Sequence, residues 1–240
     1  MKLYLCIDDT DDLESKGTGE IAEEIAFLIQ EKALGQTSAV TRHQLYVHDD
    51  IPYTSHNSSM CFEIDGVGEN GLEAIVDVAV DHLKKEASKI SDPGLCICDV
   101  ENVDVEALID YGHRAKTEVL SKTYAYEFSK NHEIFLKEYG GTGDGVIGAL
   151  AGVGLRLSGN DGRFKGKFKI PVGTYSVNEL LENTAIKRIY DTSENCYLDQ
   201  GAVALSGKIK TVLLDHVRVL PVYKKNGVYE NCTKEQLRQY

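Results

Sequence analysis

The chain begins with an apolar run, Leu3-Tyr4-Leu5-Cys6-Ile7, that ends abruptly in Asp8-Asp9-Thr10-Asp11-Asp12, four aspartates in five residues. The run reads as a short buried strand. Unpaired carboxylates cannot follow it into a core, so the chain must turn at Asp8 and gather the acids there. Gathered, they repel one another unless water screens them or a cation neutralises them. A solvated acidic turn is the usual fate of a charge run. The context favours a cation, because Lys16-Gly17-Thr18-Gly19 follows at the mouth of a helix. Oxygen ligands on a short loop suit Mg2+, which commonly binds one or two carboxylates together with substrate phosphates.

At 240 residues the chain can bury a sizeable core, as one large domain or two small ones. Apolar residues at 42% and charged residues at 27% are ordinary for a globular protein and exclude general disorder. A net charge of -12 offers no global attraction for nucleic acid. The one dense basic stretch, Arg163 to Lys169, alternates like a strand with a solvated basic face, or else forms a phosphate-binding stripe. Lys208 and Lys210 stand near a turn and serve either solubility or an anion. No secretory signal opens the chain and no run is long enough to cross a bilayer, so a cytoplasmic protein without membrane contact is expected. Cysteines 6, 61, 96, 98, 196 and 232 lie mostly in strand-like context, which suits reduced thiols. Cys96-Ile97-Cys98 lacks the second pair a zinc site needs and reads as structural.

Ile21, Ile25, Leu28 and Ile29 recur at helical spacing, with Gly35 beyond the end. Strands are predicted over 39–47 and 59–64, and a second helix over 71–89 with Leu72, Ile75, Val76, Ala79 and Leu83 on one face. Asp92-Pro93-Gly94 then turns the chain into a strand over 95–100. Strand, helix, strand, strand, helix, strand is the ferredoxin-like, split βαβ order, with two helices on one face of a four-stranded sheet. The expected fold class is therefore α/β, more strictly α+β, with this βαββαβ portion over 1–100. A helical and glycine-loop portion follows over 101–165, helical from about 103 to 130. The portion 166–240 is strand-rich, with strands over 202–205, 211–214 and 216–222 and a helix opened by the capping box Ser176-x-x-Glu179.

Tyr139-Gly140-Gly141-Thr142-Gly143-Asp144-Gly145 precedes a helix carrying Val146, Leu150, Val153 and Leu157. Such a loop lets backbone amides approach an anion while the helix amino end favours its charge. The plainer reading is a flexible loop feeding a closely packed helix, since Gly148, Gly152 and Gly154 permit close approach. Gly143, Gly145 and Gly148 match a dinucleotide fingerprint only weakly, because neither its strand nor its later acid is evident.

Taken in order, Ile7-Asp8-Asp9-Thr10-Asp11, Ile51-Pro52-Tyr53-Thr54, Asp92-Pro93-Gly94 and the glycine-rich stretch Gly145 to Gly154 resemble the TiaS family, archaeal agmatinylcytidine synthetases that modify an isoleucine tRNA. The resemblance is dispersed over about residues 3 to 160. It implies a kinase-like, nucleotide-binding core packed with the ferredoxin-like half, in an ATP-dependent enzyme that activates a cytidine carbonyl oxygen for displacement by agmatine. By this resemblance Asp8, Asp9 and Asp11 would hold Mg2+, and backbone groups of Gly143, Gly145 and Val146 would lie near the triphosphate; the loop itself, with Gly140, Gly141 and Asp144, would support phosphate. Asp8 and Asp9 would also belong to the catalytic set, with Thr18 in the region of a threonine the family phosphorylates. Lys16 and Arg42 are candidate charge stabilisers. Phosphoryl transfer needs these parts: metal, positioned phosphates and an arranged acceptor.

The departures narrow the reading. Gly17-Thr18-Gly19-Glu20 stands in place of the family's Gly-Met-Cys-Thr-Thr, and Thr54 to Ser59 in place of Lys-Thr-Arg-Gly-Asn-Gly. The second change removes two cations that suit phosphate or RNA, although His56 can replace one of them. No OB-fold or Cys-rich zinc ribbon is recognisable, so tRNA is not expected as a partner. The expectation is a Mg2+- and ATP-binding enzyme that transfers a phosphoryl or nucleotidyl group to a small molecule or nucleoside. The alternatives are a nucleotide or metabolite sensor without turnover and a truncated RNA-binding relative, and a homo-oligomer is compatible with either.

Overall fold

The apolar run at the start of the chain forms β1 (Leu3–Asp8), the centre of an antiparallel sheet in the computed structural model, which describes every residue except 53–55, 167, 169 and 239. Contacts divide the chain into two units, Met1–Ser158 and Gly159–Tyr240. In the first, β1 is followed by α1 (Thr18–Glu31), β2 (Gln36–Thr37), β3 (Thr41–Gln44), β4 (Ser58–Asp65), α2 (Gly71–Glu86) and β5 (Gly94–Asp99). Then come α3 (Val105–Arg114), α4 (Lys122–Asn131), β6 (Phe135–Glu138) and α5 (Gly145–Leu157). The sheet runs β6-β5-β1-β4-β3 with every neighbour antiparallel, and β2 lies beside β4. The order β5-β1-β4-β3, crossed by α1 and α2, is the arrangement of a split βαβ pair.

Strand parity sorts the side chains into two cores. Leu3, Leu5 and Ile7 of β1, Phe62 and Ile64 of β4, and Leu95 and Ile97 of β5 meet the apolar faces of α1 and α2. Tyr4, Cys6, Cys61, Cys96 and Cys98 point the other way, toward α3, α4 and α5. The sheet is covered on both faces, which is why β1 reads as a continuous apolar run. The cysteines are packing residues here, and burial raises the thiols of Cys6, Cys96 and Cys98. Helix α5 is apolar almost all round because it is the buried helix of this second layer. Its one buried cation, Arg156, donates to Glu63 Oε1 at 3.0 Å, Thr41 Oγ1 at 3.0 Å and Ser38 Oγ at 3.1 Å, tying the end of α5 to the sheet.

Several elements differ from their sequence reading. The strand expected over 39–47 is ordered as a strand only at Thr41–Gln44, and Leu72, expected on the buried face of α2, is 37% exposed. The segment expected to be helical from about 103 to 130 is two helices, because the Ser121 hydroxyl caps a new start by accepting from the Tyr124 amide at 3.2 Å. β6 was not foreseen; it is a short edge strand with no apolar alternation to betray it.

The second unit contains β7 (Arg163–Phe164), β8 (Gly173–Ser176), α6 (Val177–Asn183), β9 (Arg188–Asp191), β10 (Cys196–Tyr197), β11 (Ala202–Leu205), β12 (Val212–Leu214), β13 (Val217–Lys225) and β14 (Val228–Asn231). β12 lies between β7 and β13, β13 pairs with β14 and runs parallel to β9, and β14 runs parallel to β11, which pairs with β8. The capping box at Ser176 and Glu179 is present. Val177, Leu180, Ile189, Val203 and Leu220 form this unit's main core. No helix among the described residues is long and apolar enough to cross a membrane.

Candidate functional site

Asp8 is the last residue of β1 and, by parity with Tyr4 and Cys6, faces α5 rather than α1. A Cβ on Gly148 would lie 1.7 Å from Asp8 Oδ2, so the carboxyl occupies room that only glycine leaves in this turn of α5. The group is 7% exposed. Burial, then the charges of Asp9 and Asp11, pushes its pKa up to about 8, against a hydrogen bond from the Asp9 backbone. Asp9 turns the chain with a φ of 49°, in the left-handed region where Asp is tolerated. Burial raises Asp9 to about 6, with the charges of Asp92, Asp11 and Asp144 adding to it. Carboxylates from three segments therefore share one field.

The rest of the acid run divides its labour. Asp11 Oδ1 accepts the Thr18 hydroxyl at 2.9 Å, which joins the turn to the first residue of α1. Asp12 shapes the turn itself: it accepts the Ser88 hydroxyl at 2.5 Å and the amides of Glu14 and Ser15 at 2.7 and 2.9 Å. Those bonds hold Asp12 below the usual carboxylate range. The Thr10 hydroxyl is buried with no partner among the described residues.

The glycine loop meets this turn because Gly94, which pairs with Asp8 across β1 and β5, carries the start of α5 on its back. A Cβ on Gly94 would lie 2.2 Å from the Gly145 carbonyl carbon. Gly145 and Val146 are buried there, and Asp144 stands at the N-cap without a side-chain cap bond. Gly141 and Gly143 have φ of 55° and 79°, and the turn they make lets the amides of Thr142 and Gly143 donate to Asp92 Oδ1, the latter at 3.2 Å. The anion held by these amides is thus a carboxylate of the chain itself. A Cβ on Gly143 would fall on Glu138, whose Oε2 accepts Lys122 Nζ at 3.0 Å. A Cβ on Gly140 would sit 3.2 Å from the Pro93 ring.

The structure puts Asp8, Asp9 and Asp11 in one field with Asp144, which the sequence set with the glycine loop rather than with the acids, and Thr18 donates to Asp11. Lys16 instead pairs with Glu24 at 2.6 Å and Glu86 at 2.8 Å, and Arg42 donates to Ser58 Oγ at 2.9 Å and Gln44 Oε1 at 3.1 Å. In the motif at 51–54, Tyr53 and Thr54 lie outside the described residues. Asp92 was missed as a site residue. Its signal was the antiparallel pairing of two predicted strands, which sets the Asp-Pro-Gly turn beside the acids.

The donor set suits a cation that takes few protein ligands. No three His, Cys, Asp or Glu side chains converge as a metal cage among the described residues. Mg2+ needs only one or two carboxylates when phosphates and water complete its shell. Asp8 and Asp9 hold their protons above the ordinary carboxylate range, and the Thr10 hydroxyl between them and Asp11 in sequence is buried with no partner among the described residues.

No protein-family model matches the sequence, and no curated protein does. Solved structures do. A tRNA fluorescent labeling enzyme superposes with a TM-score of 0.55 at 26% identity, over 64% of this chain and 36% of that one. A complex of TiaS with its tRNA and ATP gives 0.55 at 25% identity over the same shares, 64% and 36%. The chain has a TiaS-like fold. Apo TiaS, a tRNA agmatidine synthetase, gives 0.55 at 22% identity over 80% of this chain and 42% of its own. The chain thus spans less than half the length of these TiaS structures.

Proposed function

We propose that the chain is an ATP-using enzyme of TiaS type whose first unit holds Mg2+ and a triphosphate, and that it transfers a phosphoryl or nucleotidyl group to a small molecule or nucleoside. The observation that carries this reading is the pair Asp8 and Asp9, whose carboxyls are starved of positive charge beside the amino end of α5 in a fold shared with an ATP complex of TiaS. Asp8 and Asp9 would hold the ion, with Asp11 in reach of it and of the Thr18 hydroxyl. The bound ion would neutralise phosphate charge. Asp8 would release its proton on loading, because a nearby cation favours the ionised form. The loop at 140–145 and the α5 amino end would face the phosphates, with Asp92 giving up the amides of Thr142 and Gly143 to them. For Lys16 and Arg42 to act as charge stabilisers, each must exchange its present partners for phosphate. Calorimetric titration of Mg2+ and ATP into the wild type and Asp8→Asn is the test. The heat should vanish in the variant, and equal heats from the two would overturn the assignment.

A sensor without turnover is favoured by one observation, the carboxylate of Asp92 already seated on the loop amides, which suits a ligand that competes for a resting site. ATP bound but not consumed across a panel of amines and nucleosides would decide for it. Strong, salt-sensitive retention of tRNA would instead move the acceptor toward that of the TiaS complexes.

A further inference from the structure

The second unit has the opposite electrostatic character from the chain as a whole. Thirteen of the 26 Lys and Arg fall in 159–240, against nine of the 38 Asp and Glu, so this unit is net positive within a chain of charge -12. The cations are also gathered. Arg163 of β7 pairs with Val212 of β12, the Phe164 amide donates to Thr211 O at 2.9 Å, and the Leu213 amide donates to Gly162 O at 2.9 Å. Carried one residue further, this antiparallel register sets Lys165 beside Lys210, on the face that Arg163 shares. Like charges placed opposite one another in such a pair are destabilising. Lys208 and Lys234 add to the same field, which, after burial, lowers the half-buried Lys210 ammonium below its ordinary value. Arg163 is 6% exposed, with Asp161 as the carboxylate that acts on it. Lys165, Lys208, Lys210 and Lys234 form no ion pair among the described residues, and Lys165, Lys208 and Lys234 are exposed.

We propose that Arg163, Lys165, Lys208, Lys210 and Lys234 form a second anion site, in the second unit, for a compact polyvalent phosphate such as a diphosphate group. Beside the Lys165 and Lys210 pair, Arg163, Lys208 and Lys234 all act on the one Lys210 ammonium, a concentration of charge that suits a small ligand of high charge density over an extended polyanion. A phosphate seated there would relieve the repulsion that the register imposes. The site is independent of the acid turn, so it stands or falls separately from the Mg2+ and ATP reading.

The test uses the full chain and inorganic pyrophosphate without divalent metal. Calorimetry and thermal melting are run on the wild type, Lys210→Gln, the double variant Lys165→Gln/Lys210→Gln, and Lys225→Gln as a control on another strand. Pyrophosphate should bind the wild type and control with one stoichiometric site and raise their Tm. Binding to Lys210→Gln should weaken about tenfold, and the Tm rise should disappear in the double variant. Without pyrophosphate the double variant should melt no lower than the wild type, because it has lost a like-charge pair, and this also reports that it folds. Equal pyrophosphate affinity in the wild type and the double variant overturns the site. So does binding of a short RNA duplex that depends on Lys210 but is not displaced by pyrophosphate, which would make the surface one for an extended polyanion.

Discussion

A carboxyl that ends a strand inside a packed layer holds its proton more tightly than one in water, and Asp8 does so up to about pH 8. Its folded-state pKa lies above the ordinary value near 3.8, so its contribution to stability is complete below about pH 4 and is lost as pH rises through about 8. Asp9 adds a smaller loss ending near pH 6. Denaturation in chelator at about pH 5 and about pH 9 should show the wild type losing stability on the order of a few kcal/mol more than Asp8→Asn does. Parallel declines would refute the buried, proton-binding state. Asp92 offers a separate reading of the loop. Asp92→Ala frees the amides of Thr142 and Gly143, so ATP affinity should rise several-fold if phosphate takes those amides, and a fall would place the carboxylate on the cation instead. The turn at Asp8 was legible in the sequence because the apolar run of β1 ends there. Asp92 was not, because a residue that closes a turn gives no sign of which backbone amides will reach it.

Helices show the same division. α1 and α2 are amphipathic and could be read from spacing alone, since each has one face on the sheet. α5 lies buried between α3 and the sheet, so its surroundings erase the periodicity and its glycines carry the information instead. The plainer reading of Gly154 as a packing residue holds: a Cβ there would lie 2.0 Å from the Leu108 carbonyl oxygen of α3, and one on Gly112 would lie 2.8 Å from the Leu155 amide. Backbone cannot give way as a side chain can, so Gly154→Val should cost about 2 kcal/mol or more, measured by urea denaturation. Because α5 also carries the loop and faces Asp8 through Gly148, the variant should lose Mg2+-dependent ATP binding in proportion. Gly148→Ala separates the two effects. Its Cβ meets the Asp8 carboxyl and the end of the Leu45 side chain rather than the backbone of α3, so binding should fall further than stability does. An equal fall in both would deny Asp8 its place at the ion.

At the scale of the molecule, the split βαβ order of the first unit could be followed from the sequence because each step alternates a period of two with one of 3.6. The second unit resisted, since β7, β9, β10 and β14 are two to four residues long and too short to show a period. Each unit nonetheless has cores of its own, two in Met1–Ser158 and two in Gly159–Tyr240. Every residue assigned to the cation and the phosphates, from Asp8 to Val146, belongs to the first. A chain ending at Ser158 should therefore melt cooperatively and keep Mg2+-dependent ATP affinity within about threefold of the full chain, read by circular dichroism and calorimetry. The same truncation should abolish metal-free pyrophosphate binding, because Arg163, Lys165, Lys208, Lys210 and Lys234 go with the part removed. Loss of ATP binding by a well-folded 1–158 chain would mean that the second unit contributes to the nucleotide site. Survival of pyrophosphate binding would mean that the phosphate ligands lie on the first unit, at the loop that Asp92 now occupies.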